Sequence, residues 1–187
     1  MNLLLIELLE VNVLSEIEWL AIEFGIFFGT IKKDMSAESK GIITEIIINK
    51  PPEVVRKAFL DFESYHQWNP FITSLELTHG DLADPVVTRA KLKASISPPG
   101  KSAMTFTPDV LINTEKEFKW VGSFLGLWFV AGYHYYKFEA VDNGTRFIQG
   151  EYFTGIASKL FLAIVGVDNT RKGFELMNEA LKKKCES

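Results

Sequence analysis

The sequence contains little of what several common kinds of site require. It has one cysteine, Cys185, near the C-terminus. No disulfide can therefore form within the chain, and a reducing, cytoplasmic location is the simpler prediction. The three histidines, His66, His79 and His134, fall on different predicted elements, with no cysteine or paired carboxylate at ligand spacing. We therefore predict no metal site.

Motifs for phosphate binding and for nucleophilic catalysis are also missing. The sequence has no glycine-rich phosphate loop of either common type, no Gly-x-Ser-x-Gly turn and no Cys/His nucleophile pair. The formal net charge is −4, and no basic stripe alternates with aromatic residues. This charge pattern argues against a nucleic-acid partner. We also expect no cofactor.

Residues 1–34 are apolar but contain five glutamates, and the first basic residue is Lys32. A secretory signal starts with positive charge, and a spanning helix needs about 20 apolar residues without repeated charge, so neither is predicted. Three interpretations stay open: a helix that packs on the domain or on a partner, a weak interfacial membrane helix, or sequence upstream of a true start at Met35. We expect an apolar, acidic leader over 1–34 that is helical or dispensable, and one domain over 35–187. Acidic residues oppose binding to anionic lipid, so a membrane partner is not expected.

The rest of the chain predicts one α+β domain. With 47% hydrophobic and 13% aromatic residues, the chain can bury one core. A strand over 42–49 is followed by a short helix that begins at Pro51-Pro52, since a proline in the first turn lacks only an unpaired N–H. A second helical turn over 62–67 ends at Asn69-Pro70, and Asn69 is expected to cap the backbone at this corner.

Six further strands and one long helix follow. Alternation and turn residues predict antiparallel strands near 72–79, 86–96, 103–113, 117–123, 128–141 and 145–154. A single helix over 157–184 is expected to lie across the curved sheet. Its predicted buried face comprises Leu160, Ala163, Val167, Thr170, Phe174, Met177, Asn178 and Leu181.

Several segments resemble the START-like (Bet v 1-like, SRPBCC) superfamily, in particular its polyketide cyclase/dehydrase-type members. They are PPEVVRKAFLDFESYHQWNPF from Pro51, MTFTPDVL from Met104, EFKWVG from Glu117, YHYYKFE from Tyr133, GTRFIQGEYFTG from Gly144 and TRKGFELMNEALK from Thr170. The resemblance covers about 41–183. It implies a helix-grip fold, in which a curved antiparallel sheet wraps around a long C-terminal helix and encloses a hydrophobic cavity.

Strand alternation predicts which side chains face that cavity. Lys137 and Glu139 set the outward positions of their strand, so Gly132, His134, Tyr136 and Phe138 point inward; on the next strand, Phe147, Gln149, Glu151 and Phe153 do so. The remaining predicted ligand-contacting residues are Trp68, Ala90, Leu92, Met104, Phe106, Trp120, Phe174, Met177 and Asn178. The pocket is thus predicted to be aromatic with a small polar set.

The sequence leaves three functions open. The first is a binding or carrier protein for a hydrophobic small molecule, such as a polyketide, lipid, sterol or quinone-like compound. The second is a cofactor-independent cyclase, dehydratase or isomerase, in which an imidazole of near-neutral pKa at His134 and a desolvated Glu151 act as acid and base. The third is an interaction module similar to the Hsp90-activator branch. A buried pairing of His134 with Glu151 that only satisfies two polar groups is an alternative to any of these.

Overall fold

The computed structural model describes residues 41–82 and 90–187. Strand β1 (Ile42–Ile48) leads into helix α1 (Pro52–Leu60), a 3-10 turn (Phe62–Ser64) and the short helix α2 (Tyr65–Trp68). Next come β2 (Ile72–His79), β3 (Lys91–Ile96), β4 (Met104–Phe106), β5 (Asp109–Asn113), β6 (Glu117–Phe124), β7 (Val130–Val141) and β8 (Gly144–Thr154). Helices α3 (Ser158–Val165) and α4 (Val167–Glu186) complete the described chain.

The start of the domain forms as its prolines and asparagine predict. Pro51 is extended and Pro52 opens α1, with Glu53 in the first turn, where the helix dipole favours negative charge. At the corner after α2, the buried Oδ1 of Asn69 accepts hydrogen bonds from the backbone N–H groups of Phe71, at 3.0 Å, and Ile72, at 2.9 Å. Asn69 therefore holds the turn that directs the chain into β2.

The strands form one curved antiparallel sheet in the order β1-β8-β7-β6-β5-β3-β2, with β4 also paired to β3. Helix α4 lies on its inner face. Phe174 of α4 stacks on His134 of β7, with ring centroids 4.8 Å apart, and Asn178 Nδ2 donates to Thr44 Oγ1 of β1 at 3.0 Å. The architecture is a helix-grip fold.

The predicted strand over 103–113 is two strands. Met104–Phe106 pairs with β3, whereas Asp109–Asn113 pairs with β6, and Pro108 lies between them. A proline has no N–H for a ladder, but its carbonyl still accepts from Leu92 N at 3.0 Å, so the chain bends there without leaving the sheet. The predicted strand over 86–96 is present from Lys91; residues 83–89 lie outside the described part.

The predicted single helix over 157–184 is wrong, because the chain divides at Gly166. This residue has φ of +84°, a conformation that a continuous right-handed helix excludes. Its N–H bonds to Leu162 O and ends α3, and its carbonyl accepts from Thr170 N at the start of α4. Leu160 and Val167, predicted to be buried, are 65% and 40% exposed. The predicted positions from Thr170 to Leu181 are buried.

Within residues 41–82 and 90–187, no helix is both long enough and apolar enough to cross a membrane.

Candidate functional site

Burial along the inner face of the sheet changes from one end to the other. At the α1 end, Phe138, Phe147 and Phe118 are almost fully buried around Phe59 of α1, with ring centroids 5.5, 6.1 and 5.5 Å from it. At the end beneath α3, the inner-face residues of several strands are only partly buried. We call these residues the inner rim: Ile96, Phe106, Gly122, Gly132, Glu151 and Phe153. The interior is a packed aromatic core at one end and an accessible apolar region at the other.

Two glycines make room at the inner rim. Gly122 and Gly132 face each other across β6 and β7. A Cβ at Gly122 would lie 3.1 Å from the Phe106 ring, and one at Gly132 would lie 2.9 Å from the Phe153 ring and 3.0 Å from Glu151 Oε1. The space that side chains would take at these positions is therefore used by two aromatic rings and a carboxyl group.

The polar residues that strand alternation placed inside do lie together. Cross-strand register sets His134 opposite Glu151 and Tyr136 opposite Gln149. Trp120 on β6 lies opposite His134, and their rings meet edge to face at 5.3 Å. We call His134, Tyr136, Gln149, Glu151 and Asn178 the inner polar cluster. The outward side chains Tyr133 and Tyr152 stack on the other face of the sheet at 4.9 Å.

His134 is held by Gln149 and aromatic rings rather than by Glu151. Gln149 Nε2 lies 2.9 Å from His134 Nε2, so with the amide donating, the imidazole accepts at Nε2 and carries its proton on Nδ1. The imidazole ring is stacked between Tyr136 and Phe174, with centroid distances of 4.5 and 4.8 Å. Burial among these groups lowers the pKa of His134 from 6.5 to about 3. The expected near-neutral imidazole is thus wrong, and His134 is uncharged at neutral pH.

Glu151 has the opposite perturbation and no protein partner. Desolvation raises the pKa of its carboxyl group from 4.5 to about 8, so it carries its proton at neutral pH. It makes neither a hydrogen bond nor an ion pair with any residue that the structure describes. Because Glu151 lies on the partly buried inner rim, its neutral carboxylic acid can donate a hydrogen bond to a molecule bound there.

Three further polar atoms of the inner polar cluster lack partners. Tyr136 Oη, Gln149 Oε1 and Asn178 Oδ1 are buried without a hydrogen bond inside the described chain. Desolvation raises the pKa of Tyr136 well above 10, so its hydroxyl remains a neutral donor. Buried polar groups are normally paired, and leaving one unpaired costs about 1–3 kcal/mol. Several such atoms on the same inner face as an unpaired carboxyl group are typical of a site that recognises a polar group on an apolar ligand.

The structure does not bring all the predicted ligand-contacting residues into this region. Trp68 lies outside it, where its indole N–H donates to Ser64 and Lys184 packs over its ring. Met104 lies opposite Ile96 in the register of β3 and β4 and so shares the inner face, but at this edge of the sheet its side chain is 42% exposed. Fully or mostly buried in the interior are Ala90, Leu92, Trp120, Tyr136, Phe138, Phe147, Gln149, Phe174, Met177 and Asn178.

Sequence reasoning missed three participants. Thr44 of β1 accepts the Asn178 amide, and Phe161 of α3 packs on Phe153 with ring centroids 5.5 Å apart. Gly122, which faces the predicted inward residue Gly132, was also missed, although a glycine within a strand commonly marks a close approach. Alternation could have shown Thr44 as inward, but nothing local to Phe161 shows that α3 bends over the rim.

Two open surface grooves lie away from the inner polar cluster. One of about 730 Å³ runs between the 3-10 turn and β2, and one of about 790 Å³ runs between α1 and the β5–β6 turn. Phe138 is the one predicted residue that contributes to either groove. Over the described ranges, no group of three or more His, Cys, Asp or Glu side chains is placed to hold a metal ion.

Comparison with solved structures agrees with this geometry. A protein of Thermus thermophilus, TTHA0849, superposes with a TM-score of 0.60 at 17% identity, over 78% of this chain and 97% of its own. The Zhui aromatase/cyclase of Streptomyces sp. R1128 superposes with a TM-score of 0.55 at 11% identity, over 78% of this chain and 93% of its own. Ara h 8.0201 superposes with a TM-score of 0.57 at 18% identity, over 78% of this chain and 97% of its own. At these identities the likeness establishes the Bet v 1-like helix-grip fold. No curated protein matches the sequence.

A sequence model of one family then matches residues 42–186, almost the whole described domain. The chain belongs to the family "Polyketide cyclase / dehydrase and lipid transport". Membership supports a role in hydrophobic ligand binding or cyclisation.

Proposed function

We propose that the protein binds a hydrophobic small molecule carrying an oxygen acceptor at the inner rim, as a binding or carrier protein. Polyketides, lipids, sterols and quinone-like compounds share this chemistry. One observation carries the proposal: Glu151, protonated and without a partner, lies among partly buried aromatic residues. The apolar walls supply affinity by burial, and the carboxylic acid fixes orientation through one hydrogen bond.

The test compares two probes that differ only at the oxygen. Acetylnaphthalene has a carbonyl group where ethylnaphthalene has a methylene group. A hydrogen bond from Glu151 should make the ketone bind about tenfold more tightly, since a net hydrogen bond contributes about 1–1.5 kcal/mol. Titration calorimetry measures both affinities. The preference should fade as the pH rises above about 8, because a carboxylate cannot donate.

Variants locate the preference. Glu151→Leu should bind ethylnaphthalene at least as well as the natural protein and should lose the preference for the ketone. Glu45→Leu is the matched control, because Glu45 is exposed on the outer face of β1. Equal affinities of the natural protein for both probes would overturn the role of Glu151. Failure to bind either probe would overturn binding of this ligand class.

Acid catalysis on the same ligand is the second candidate, favoured by a carboxyl group that is protonated at neutral pH. In a dehydration, the Glu151 O–H would give its proton to a leaving hydroxyl group. The C–O bond breaks, water departs, and a base removes the proton from the neighbouring carbon to leave a C=C bond. His134 lies opposite Glu151, but its Nε2 already accepts from Gln149, and its pKa of about 3 makes it a weak base. This weakness places catalysis second.

A β-hydroxy naphthyl ketone distinguishes the candidates, because its dehydration to the enone is visible by absorbance. For an enzyme, Glu151→Gln should abolish turnover while affinity changes by no more than a few-fold, since the amide still donates a hydrogen bond. Glu151→Leu should lose turnover and should also lose the contribution of the hydrogen bond to affinity. Tight binding without turnover by the natural protein would exclude dehydration of this substrate class and leave the carrier function.

A further inference from the structure

An apolar surface covers the end of the domain above the inner rim. It consists of the β6–β7 turn and α3, and we call it the apolar end surface. Its large side chains, each more than half exposed, are Phe124, Leu125, Leu127, Trp128, Ile156, Leu160 and Ile164. A contiguous exposed patch of this kind exceeds what scattered surface hydrophobes explain and marks an interaction site.

The two segments form one continuous surface. Ile156 N donates to Trp128 O at 3.1 Å, and Ala157 N donates to Phe129 O at 3.0 Å, so the start of α3 is attached to the turn. Ile156, Leu160 and Ile164 then recur every four residues and follow one side of the helix. At the other end of α3, Lys101 Nζ donates a hydrogen bond to Ile164 O at 3.3 Å. The surface therefore extends from the β6–β7 turn to the β3–β4 loop.

One side of α3 packs on the domain through Phe161 and Leu162, but the side that carries Leu160 and Ile164 does not. The helix has no buried residue, although six of its eight residues are apolar. It lies between Gly155 and Gly166, whose φ angles are +98° and +84°. Keeping such a helix at the surface exposes apolar area that the domain itself leaves uncovered.

Charge indicates what covers this surface. Residues 122–132 contain no charged side chain, and 154–167 contain one, Lys159. The neighbouring loop 98–103 also contains one, Lys101. Both lysines are exposed, and the next acidic residue along the chain, Asp168, lies in the first turn of α4. An apolar centre with an exposed tryptophan and two lysines at its margin is complementary to the acyl region and anionic headgroups of a bilayer.

We infer that the apolar end surface docks the protein onto the surface of a lipid bilayer. The contact is peripheral: α3 lies along the interface, and Trp128, with the neighbouring leucines, reaches the acyl boundary. Lys101 and Lys159 then face the headgroups. The inference concerns the outside of the domain and does not depend on which ligand, if any, occupies the inner rim.

Flotation with vesicles tests the inference on the full chain. We expect binding to phosphatidylcholine vesicles and tighter binding when phosphatidylglycerol is included. Trp128→Glu and Leu160→Glu should each weaken binding to both kinds of vesicle by about tenfold or more. Each substitution removes one apolar side chain that would become buried in the bilayer. Leu176→Glu is the matched control, an exposed leucine on α4 outside the surface.

The lysines give a second, separable readout. The double change Lys101→Gln and Lys159→Gln should remove the gain from phosphatidylglycerol, about fivefold for each lysine, without changing binding to phosphatidylcholine. Glu151→Leu should leave vesicle binding unchanged, which separates this surface from the interior site.

Three results would overturn the inference. The natural protein could fail to float with either kind of vesicle. Leu176→Glu could lose as much binding as Leu160→Glu. Sedimentation could show a dimer that Leu160→Glu converts to a monomer, which would assign the surface to a second copy of the chain.

Discussion

Glu151 and His134 are opposite each other in the sheet and should give the protein an unusual pH profile of stability. Burial holds the proton on Glu151 in the folded state up to about pH 8, whereas the unfolded chain releases it near 4.5. Between these values the folded state binds more protons than the unfolded state, so stability falls as pH rises. His134 acts in the opposite sense: its pKa is 6.5 unfolded and about 3 folded, so stability rises with pH across that window.

The two contributions cancel where their windows overlap. Each has a slope of about 1.4 kcal/mol per pH unit, and over the full window each amounts to about 5 kcal/mol. Between pH 4.5 and 6.5 both are active with opposite sign, and above 6.5 only Glu151 contributes until about pH 8. The natural protein should lose about 2 kcal/mol of stability from Glu151 over that last interval.

Single variants isolate each contribution. For Glu151→Gln, the free energy of unfolding relative to the natural protein should increase by about 2 kcal/mol between pH 6.5 and 8. For His134→Gln, the relative free energy should instead increase as the pH falls below 6.5. Urea unfolding followed by tryptophan fluorescence measures both, and Glu45→Gln is the matched control for an exposed carboxyl group. A difference between Glu151→Gln and the natural protein that stays constant from pH 6.5 to 8 would refute the desolvated carboxylic acid.

Two further changes test the fold around the site. Asn69→Ala leaves the N–H groups of Phe71 and Ile72 without their acceptor and should cost about 1–3 kcal/mol in urea unfolding; an unchanged midpoint would show that the corner does not need this cap. Gly166→Ala places a side chain at φ of +84°, 3.3 Å from Asn169, and should cost about 1–2 kcal/mol. The same substitution at Gly100, where a Cβ meets nothing within 4 Å despite its φ of +71°, separates backbone strain from crowding; similar losses at both positions would indicate strain alone.

Local patterns predicted the sheet and the inward parity of its central strands. In β7 and β8 the side-chain period is two, so one charged residue per strand is enough to place His134, Tyr136, Gln149 and Glu151 on the same face. The corner at Asn69-Pro70 was predictable for a similar reason, because its geometry is set by adjacent residues. The structure also confirms the helix-grip fold, which the resemblance to the START-like superfamily implied.

Periodicity does not show where a helix or strand ends, or how exposed its end is. Helical periodicity placed Leu160 and Val167 on the buried side, but periodicity describes a helix only as long as the helix continues, and Gly166 ends it. Met104 has the correct alternation for an inward residue, yet β4 pairs only with β3 and its first residue remains exposed. The exposure of Met104 depends on strand pairing and cannot be inferred from its neighbours, whereas the helix end has a local signal in Gly166 that periodicity does not read.

The sequence by itself determined the antiparallel strands, the aromatic interior and the identity of the inward polar residues, because strand alternation and turn chemistry act over a few residues. The helix-grip architecture was implied by the resemblance to the START-like superfamily. Only the tertiary structure decided their chemistry. Gln149, rather than Glu151, became the partner of His134, and the two pKa values moved in opposite directions through burial. Tertiary packing also left the side of α3 that carries Leu160 and Ile164 facing outward. Desolvation and packing depend on everything that surrounds a group in three dimensions, and no local pattern encodes them.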